Sequence, residues 1–317
     1  MPLPQDERVV ALAQDLLQQF DQIFGLHPGF RPAHAKGLML SGTFKPAQEA
    51  DRLSRAPHFR RESTPVVVRF SNSTGIPEIP DSAADANPRG LAVRFMLGEH
   101  VHTDIVSHST DGFPTRTGQE FLEFLRAAAA SGGEVPSPKP VEVFLGSHPA
   151  ALAFVQTPKP FPVSLAQETY FGVTAFAFTN VEGETKYGRY RIVPEMGNEF
   201  LSQEDAAKIG PNYHYDEIAR RVAAGPVRFK IVVQVAEEGD VVDDATKHWS
   251  EERSQVELGW LELTSFVEDS VAQQKRIIFD PIPRVEGIEP SADPLLELRA
   301  AIYLLSGRRR REAPSAS

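Results

Sequence analysis

Four stretches of the chain carry residue types able to do chemistry. Near the C-terminus, SADPLLELRAAIYLLSGRRR reads as a helix over residues 294–306, with Asp293 as N-cap, Pro294 in the first position and Gly307 as the stop. Arg299, Tyr303 and Ser306 then share one stripe, which Arg310 joins only if the helical path continues past Gly307. A tyrosine ligates ferric iron only as phenolate. Its reference pKa is ~10, and a cation one turn away, here Arg299, favours the ionised form. In PVVVRFSN, strand alternation puts Val67, Arg69 and Ser71 on one face and Val66, Val68 and Phe70 on the other. An arginine in such apolar surroundings wants a buried counter-charge. FRPAHAKG supplies His34, a candidate acid–base group. GEHVHTDIVSH puts His100, His102, Asp104 and His108 on one strand face, where two histidines one residue apart could grip a metal. Each feature also has a plain structural explanation: a tyrosine stacked on an arginine, a hydrogen-bonded core histidine, an arginine paired with an ordinary carboxylate.

The elements that must position these residues alternate in type. Val10, Leu12, Ala13, Leu16, Leu17, Phe20, Ile23 and Phe24 have helical spacing, so a helix is expected within residues 1–26, closed by Gly25. Short strands broken by Gly and Pro follow from Leu38 to Phe95, the clearest over residues 65–71, 90–96 and 101–106. A helix is predicted over 119–130 and a loop at SGGEVPSPKP. Further strands are predicted at 174–180, 186–193, 227–235, 256–263 and 277–279, with helices at 202–209 and 215–223. Antiparallel-type strands with inserted helices imply an α+β fold built on a sheet or closed barrel, in a single domain over residues 1–317.

Composition narrows the function classes. A net charge of −10 argues against nucleic-acid or anionic-membrane partners, despite the local run Arg308–Arg311, which reads as a solvated tail over 308–317. Cysteine is absent, which removes disulfides, thiolate-ligated iron, iron–sulfur clusters and thiol peroxidase chemistry. No export-signal pattern and no run approaching the ~20 apolar residues of a membrane span are visible, so a cytoplasmic location is the default expectation.

Read in order, FRPAHAKG, VVVRFSN, NPRGLAVRF and FDPIPRVEGIEPSADPLLELRAAIY resemble the haem core of the catalase superfamily, most of all its catalase-related peroxidase branch. FGVTAFAFTNVEG and LSQEDAAKI add agreement, and the resemblance runs from about Phe30 to Arg310. It implies a catalase-like antiparallel β-barrel with inserted and flanking helices, and a haem b whose iron takes Tyr303 as tyrosinate. By the same resemblance His34 is the distal catalytic histidine, and Ser71 the serine that fixes its tautomer. Arg31, Arg69 and Arg310 (or Arg308) would contact the propionates, Phe121 would lie against the porphyrin, and Arg299 would be the charge partner of Tyr303.

One position departs from the pattern. Where typical catalases carry an asparagine over the iron, TDIVSHSTDGF places His108. That asparagine helps to orient a second peroxide for oxidation to dioxygen. The expected activity is therefore that of a peroxidase, reducing organic hydroperoxides or hydrogen peroxide with an external electron donor and showing weak catalase turnover. Three alternatives remain open on sequence. They are an allene oxide synthase-like enzyme that rearranges fatty-acid hydroperoxides, a haem sensor, and a non-haem metalloenzyme using His100 and His102. The long C-terminal segments that assemble full-length catalases have no counterpart here, so a monomer or homodimer is expected.

Overall fold

The amphipathic N-terminal segment forms helix α1 (Glu7–Phe24). The Asp6 carboxylate caps it by accepting from the Arg8 backbone N–H at 2.9 Å, and Gly25 ends it at φ 84°, a conformation that favours glycine. The structure is a computed structural model and describes residues 2–314.

After α1 the period changes from helical to two. The strands are β1 (Gly37–Pro46), β2 (Thr64–Ser71), β3 (Gly90–Gly98), β4 (Val101–His108), β5 (Tyr170–Phe171), β6 (Phe176–Thr179), β7 (Thr185–Pro194), β8 (Val227–Val235), β9 (Gln255–Phe266) and β10 (Ile288–Pro290). Neighbours run β8-β9-β1-β2-β3-β4-β5-β7, and β7 pairs back onto β8, closing an eight-stranded antiparallel barrel. β6 prolongs the β5 side of β7 and carries β10. Closure leaves those eight strands without a free edge. The barrel interior takes one face of each strand: Leu40, Val68, Phe70, Val93 and Phe229 are all fully buried there. Each such side chain contributes about 1.5–3 kcal/mol.

The expected α+β barrel with helices around it is thus the fold observed. The helices are α2 (Gly118–Ala129), α3 (Pro140–Ser147), α4 (Pro149–Gln156), α5 (Gln203–Lys208), α6 (Tyr213–Ala224), α7 (Ser270–Arg276) and α8 (Leu295–Glu312). Helices α1, α2 and α8 share a second core made by Ala13, Leu16, Leu122, Leu298 and Ala301. Gly118 lets α2 sit close to α8, since a Cβ there would lie 1.9 Å from Leu298 Cδ2. No helix is long and apolar enough to cross a membrane among the described residues.

Three expectations need correction. Gly307 does not stop the last helix, which runs on to Glu312. Its lack of a side chain serves packing instead, because a Cβ would lie 2.2 Å from Ile278 Cδ1. The supposed tail is therefore helical through residue 312, while residues 315–317 lie outside the described residues. Residues 277–279 form no strand. Their backbone bonds go elsewhere: the Ile277 N–H donates to Gln273 O at 2.8 Å, Ile278 O accepts from the Arg94 guanidinium, and the neighbouring Asp280 N–H donates to Asp104 Oδ2 at 2.6 Å. Finally, α3 and α4 were not anticipated; Pro140 and Pro149 occupy first-turn positions where no N–H is needed.

Candidate active site

Strand register brings the first group of candidates together. One cross-strand row at the barrel rim runs Gly37, Ser71, Gly90, His108 and Phe171; the next row on the same outer face runs Met39, Arg69, Ala92 and Val106. Ser71 and His108 therefore flank Gly90, and the absent side chain there makes room for His34. A Cβ at Gly90 would lie 2.5 Å from Ser71 Oγ and 2.9 Å from His34 Nδ1. His34 arrives from the preceding loop with φ 58°, an unfavourable conformation for a side-chain-bearing residue. Its backbone N–H donates to Ser73 O at 2.9 Å, which helps to hold it.

A cavity of about 410 Å³ lies between this outer barrel face and helices α1, α2 and α8. All nine residues singled out from sequence line it: Arg31, His34, Arg69, Ser71, His108, Phe121, Arg299, Tyr303 and Arg310. Helix α8 contributes the last three, Arg310 because the helix continues through Gly307. Arg308 is exposed, so Arg310 and not Arg308 faces the cavity. The Arg299 Nη2 donates to Tyr303 Oη at 3.4 Å.

The two histidines are held in defined states. His34 Nδ1 lies 3.1 Å from Ser71 Oγ. A backbone hydrogen bond at Asn72 favours the protonated ring but is outweighed. Burial and the nearby Arg69 hold the His34 pKa down to about 4, so the ring is neutral at pH 7. Burial and His34 lower His108 to about 3. Its Nδ1 accepts from the Thr110 backbone N–H at 3.3 Å, so neutral His108 carries its hydrogen on Nε2. The neighbours Ser107 and Ser109 are engaged elsewhere, with Leu91 O and Arg89 N.

The arginines lack the counter-charge that the sequence led us to expect. Arg31 donates to the carbonyls of Gln274 and Ile277, both at 3.1 Å. Arg69 donates to Gln274 Oε1 at 2.9 Å and to the His34 and Ala35 carbonyls. Arg310 donates to Ser306 Oγ and Ile277 O, both at 2.8 Å, and its buried Nε has no partner among the described residues. Burial lowers all three pKa values, Arg69 to about 10 and Arg310 to about 9, with Arg69 and Arg310 also depressing Arg31. Two buried cations, Arg69 and Arg310, and half-buried Arg31 face one cavity and form a receptor for a dianionic group. Phe113 and Phe121, with ring centroids 4.9 Å apart, add an aromatic wall. A flat apolar macrocycle with two carboxylates, and a metal seeking a phenolate, matches this donor set. The residues present fit haem.

Sequence reasoning missed the backbone acceptor Ile277 and Gln274, which orient the arginines; a carbonyl carries no residue-type signal. It also put His100, His102, Asp104 and His108 on one strand face, with His100 and His102 as a possible grip on a metal. The structure gives them different surroundings. His100 is exposed in the turn before β4, Asp104 is engaged by Arg94 at 2.7 Å and by His102 at 3.2 Å, and His108 opens into the cavity. Among the described residues no three His, Cys, Asp or Glu side chains cluster to hold a metal.

The chain matches the model of the catalase family over residues 17–314. It therefore belongs to the catalase family. Among relatives, it is 33% identical to the catalase-related peroxidase of Mycolicibacterium paratuberculosis over 285 residues, covering 89% of each chain. It is likewise 33% identical to the catalase-related peroxidase of Synechococcus elongatus over 300 residues, covering 93% of this chain and 87% of that one. Catalase A from Saccharomyces cerevisiae shares the fold with a TM-score of 0.78 at 23% identity; the match covers 98% of this chain but only 65% of the yeast chain. The chain likewise spans 63% of a fungal catalase of the same fold, at 24% identity and a TM-score of 0.78.

Proposed function

We propose that the protein is a haem-dependent peroxidase that reduces organic hydroperoxides or hydrogen peroxide at the expense of an external electron donor. The observation that carries this reading is the convergence of neutral His34, the Arg299–Tyr303 pair and three uncompensated arginines on one cavity. Two relatives named catalase-related peroxidase, matched along most of their length, support it.

In this reading Tyr303 would ligate the iron of haem b as tyrosinate, with Arg299 bonded to its Oη, and Arg31, Arg69 and Arg310 would hold the propionates. Bound haem supplies an iron able to take up two oxidising equivalents from a peroxide. His34 Nε2 accepts the proton of the peroxide hydroxyl and returns it to the leaving oxygen, so that the O–O bond breaks to release water or an alcohol. Ser71 positions the ring through Nδ1. His108 presents an Nε2–H donor over the same space, in place of an asparagine amide. The donor then supplies two electrons and two protons, which balances reduction of ROOH to ROH and water.

The test is turnover of tert-butyl hydroperoxide by haem-loaded protein with a phenolic donor, with dioxygen followed in parallel. Donor oxidation with slow dioxygen release is expected, and His34→Ala should keep its haem but lose donor oxidation. Rapid sustained dioxygen evolution from hydrogen peroxide would make the protein a catalase. Consumption of a fatty-acid hydroperoxide to an allene epoxide without donor would make it a rearranging enzyme.

A further inference from the structure

Lys159 follows α4 at the edge of the cavity and takes part in none of the chemistry above. Two contacts place it there. The Asn87 Nδ2 donates to Lys159 O at 3.1 Å, next to Pro88, which lines the cavity. The Lys159 ammonium sits 4.7 Å from the ring centroid of Phe154, a half-exposed residue that lines the cavity too. The ammonium is also near enough to His108 to oppose its protonation.

The bonding of the ammonium leaves it free to take a ligand. It donates to Phe154 O at 2.7 Å and Thr157 O at 3.0 Å, both neutral acceptors, and one of its three hydrogens has no bond to a protein atom among the described residues. Two carbonyls cap a helix end but do not neutralise a charge. The cavity that Phe154 lines is also walled by Phe124 and Phe113, and His108 opens into the same space. A cation beside the wall, an aromatic lining and polar reacting groups in the same cavity match an amphipathic molecule with a carboxylate at one end and the reacting group further along its chain.

We infer that Lys159 is a specificity-determining residue that holds the carboxylate of anionic organic hydroperoxides, of the fatty-acid type, while the alkyl chain passes Phe154 into the cavity. This rests on the peroxidase reading for the reaction but not for the binding. No step of the reaction changes: ROOH still becomes ROH and water, with the electrons of the external donor, and Lys159 contributes only to binding.

Binding can be measured without turnover. Linoleate, which has no peroxide group, and methyl linoleate are titrated calorimetrically into the haem-loaded full chain and into Lys159→Met, which keeps the stem over Phe154. Linoleate should bind about two- to fivefold more tightly than the ester, the size expected of one partly solvated ion pair. Lys159→Met should erase that preference with the ester's affinity unchanged, and Lys159→Arg should retain it. With the hydroperoxides of the same two compounds, the preference should appear in KM and not in kcat. Equal binding of acid and ester by the parent protein, or a preference that survives Lys159→Met, overturns the assignment. Cumene hydroperoxide carries no charge, so its turnover tests the peroxidase reading separately. A thermal melt of Lys159→Met within about a degree or two of the parent shows that capping of α4 is not what the variant reports.

Discussion

Gly90→Ala is the substitution that bears most directly on how the barrel rim positions its histidine. The added Cβ would stand 2.5 Å from Ser71 Oγ, 2.9 Å from His34 Nδ1 and 3.2 Å from His34 Cε1. Ordinary contacts begin near 3.5 Å, so the imidazole and hydroxyl must retreat by roughly half to one ångström. The rim row cannot yield easily, because Gly90 is paired with Ser71 on one side and His108 on the other. Overpacking of this kind costs about 1–3 kcal/mol of stability, which a barrel of this size tolerates. A misplacement of about 1 Å at a reacting group costs about a hundredfold in rate. The assay is steady-state reduction of tert-butyl hydroperoxide by haem-loaded protein, with haem stoichiometry and the absorption spectrum as controls. The expected result is unchanged haem content, a melting temperature lower by a few degrees and a rate down about a hundredfold. A rate within about threefold of the parent, with the variant folded and haem-loaded, would refute the idea that Gly90 shapes the His34–Ser71 contact.

Other perturbations follow from the same geometry. Gly307→Ala drives a methyl group into Ile278, 2.2 Å away, and should lower stability by about 1–3 kcal/mol in a urea titration; an unchanged midpoint would contradict the packing role. Arg310→Leu removes one of the three cations and should weaken haem binding about tenfold or more, measured by transfer of haem to a scavenger, against no change if Arg310 merely fills space. Acid should destabilise the haem-free protein. Folded-state pKa values near 3 for His58 and His108 and near 4 for His34 lie below the unfolded value, so their stability is complete above pH ~6.5 and is lost as pH falls towards 4. His214, pushed well down by burial, acts the same way, while Glu168, raised to about 7 by burial, and Asp293, also raised by burial, work in the opposite direction, two groups against four. Urea midpoints between pH 7 and 4.5 should fall by the equivalent of several kcal/mol. His58→Phe should flatten that slope, since His58 is fully buried with its ring 4.0 Å from Phe59 and 4.6 Å from Phe95; an unaltered slope would exclude His58 as a contributor.

Much of this site was legible in the sequence where side-chain type and period carry the information. Alternation alone put Arg69 and Ser71 on one face of β2, and they do line the cavity together. Helical spacing put Arg299 and Tyr303 on one stripe, and the resemblance of the ordered motifs to the catalase superfamily connected them to His34. What failed had physical reasons. Gly307 carries the same letter whether it ends a helix or lets Ile278 approach one, and only the neighbour decides. Residues 277–279 are extended and apolar like a strand, yet their carbonyls are taken by the side chains of Arg31, Arg94 and Arg310, brought together by folding. The carbonyl of Ile277, which two arginines share, has no signature at all. Lys159 was equally silent, because its significance depends on α4, which sequence period did not reveal.

The central claim is that Tyr303 ligates haem iron in the cavity opposite His34's barrel wall. The most direct measurement is the absorption and resonance Raman spectrum of the reconstituted protein beside that of Tyr303→Phe. The account predicts one haem per chain with phenolate–iron bands in the parent, and in Tyr303→Phe the loss of those bands with weakened haem retention. Identical spectra and equal haem content in the two proteins would contradict it.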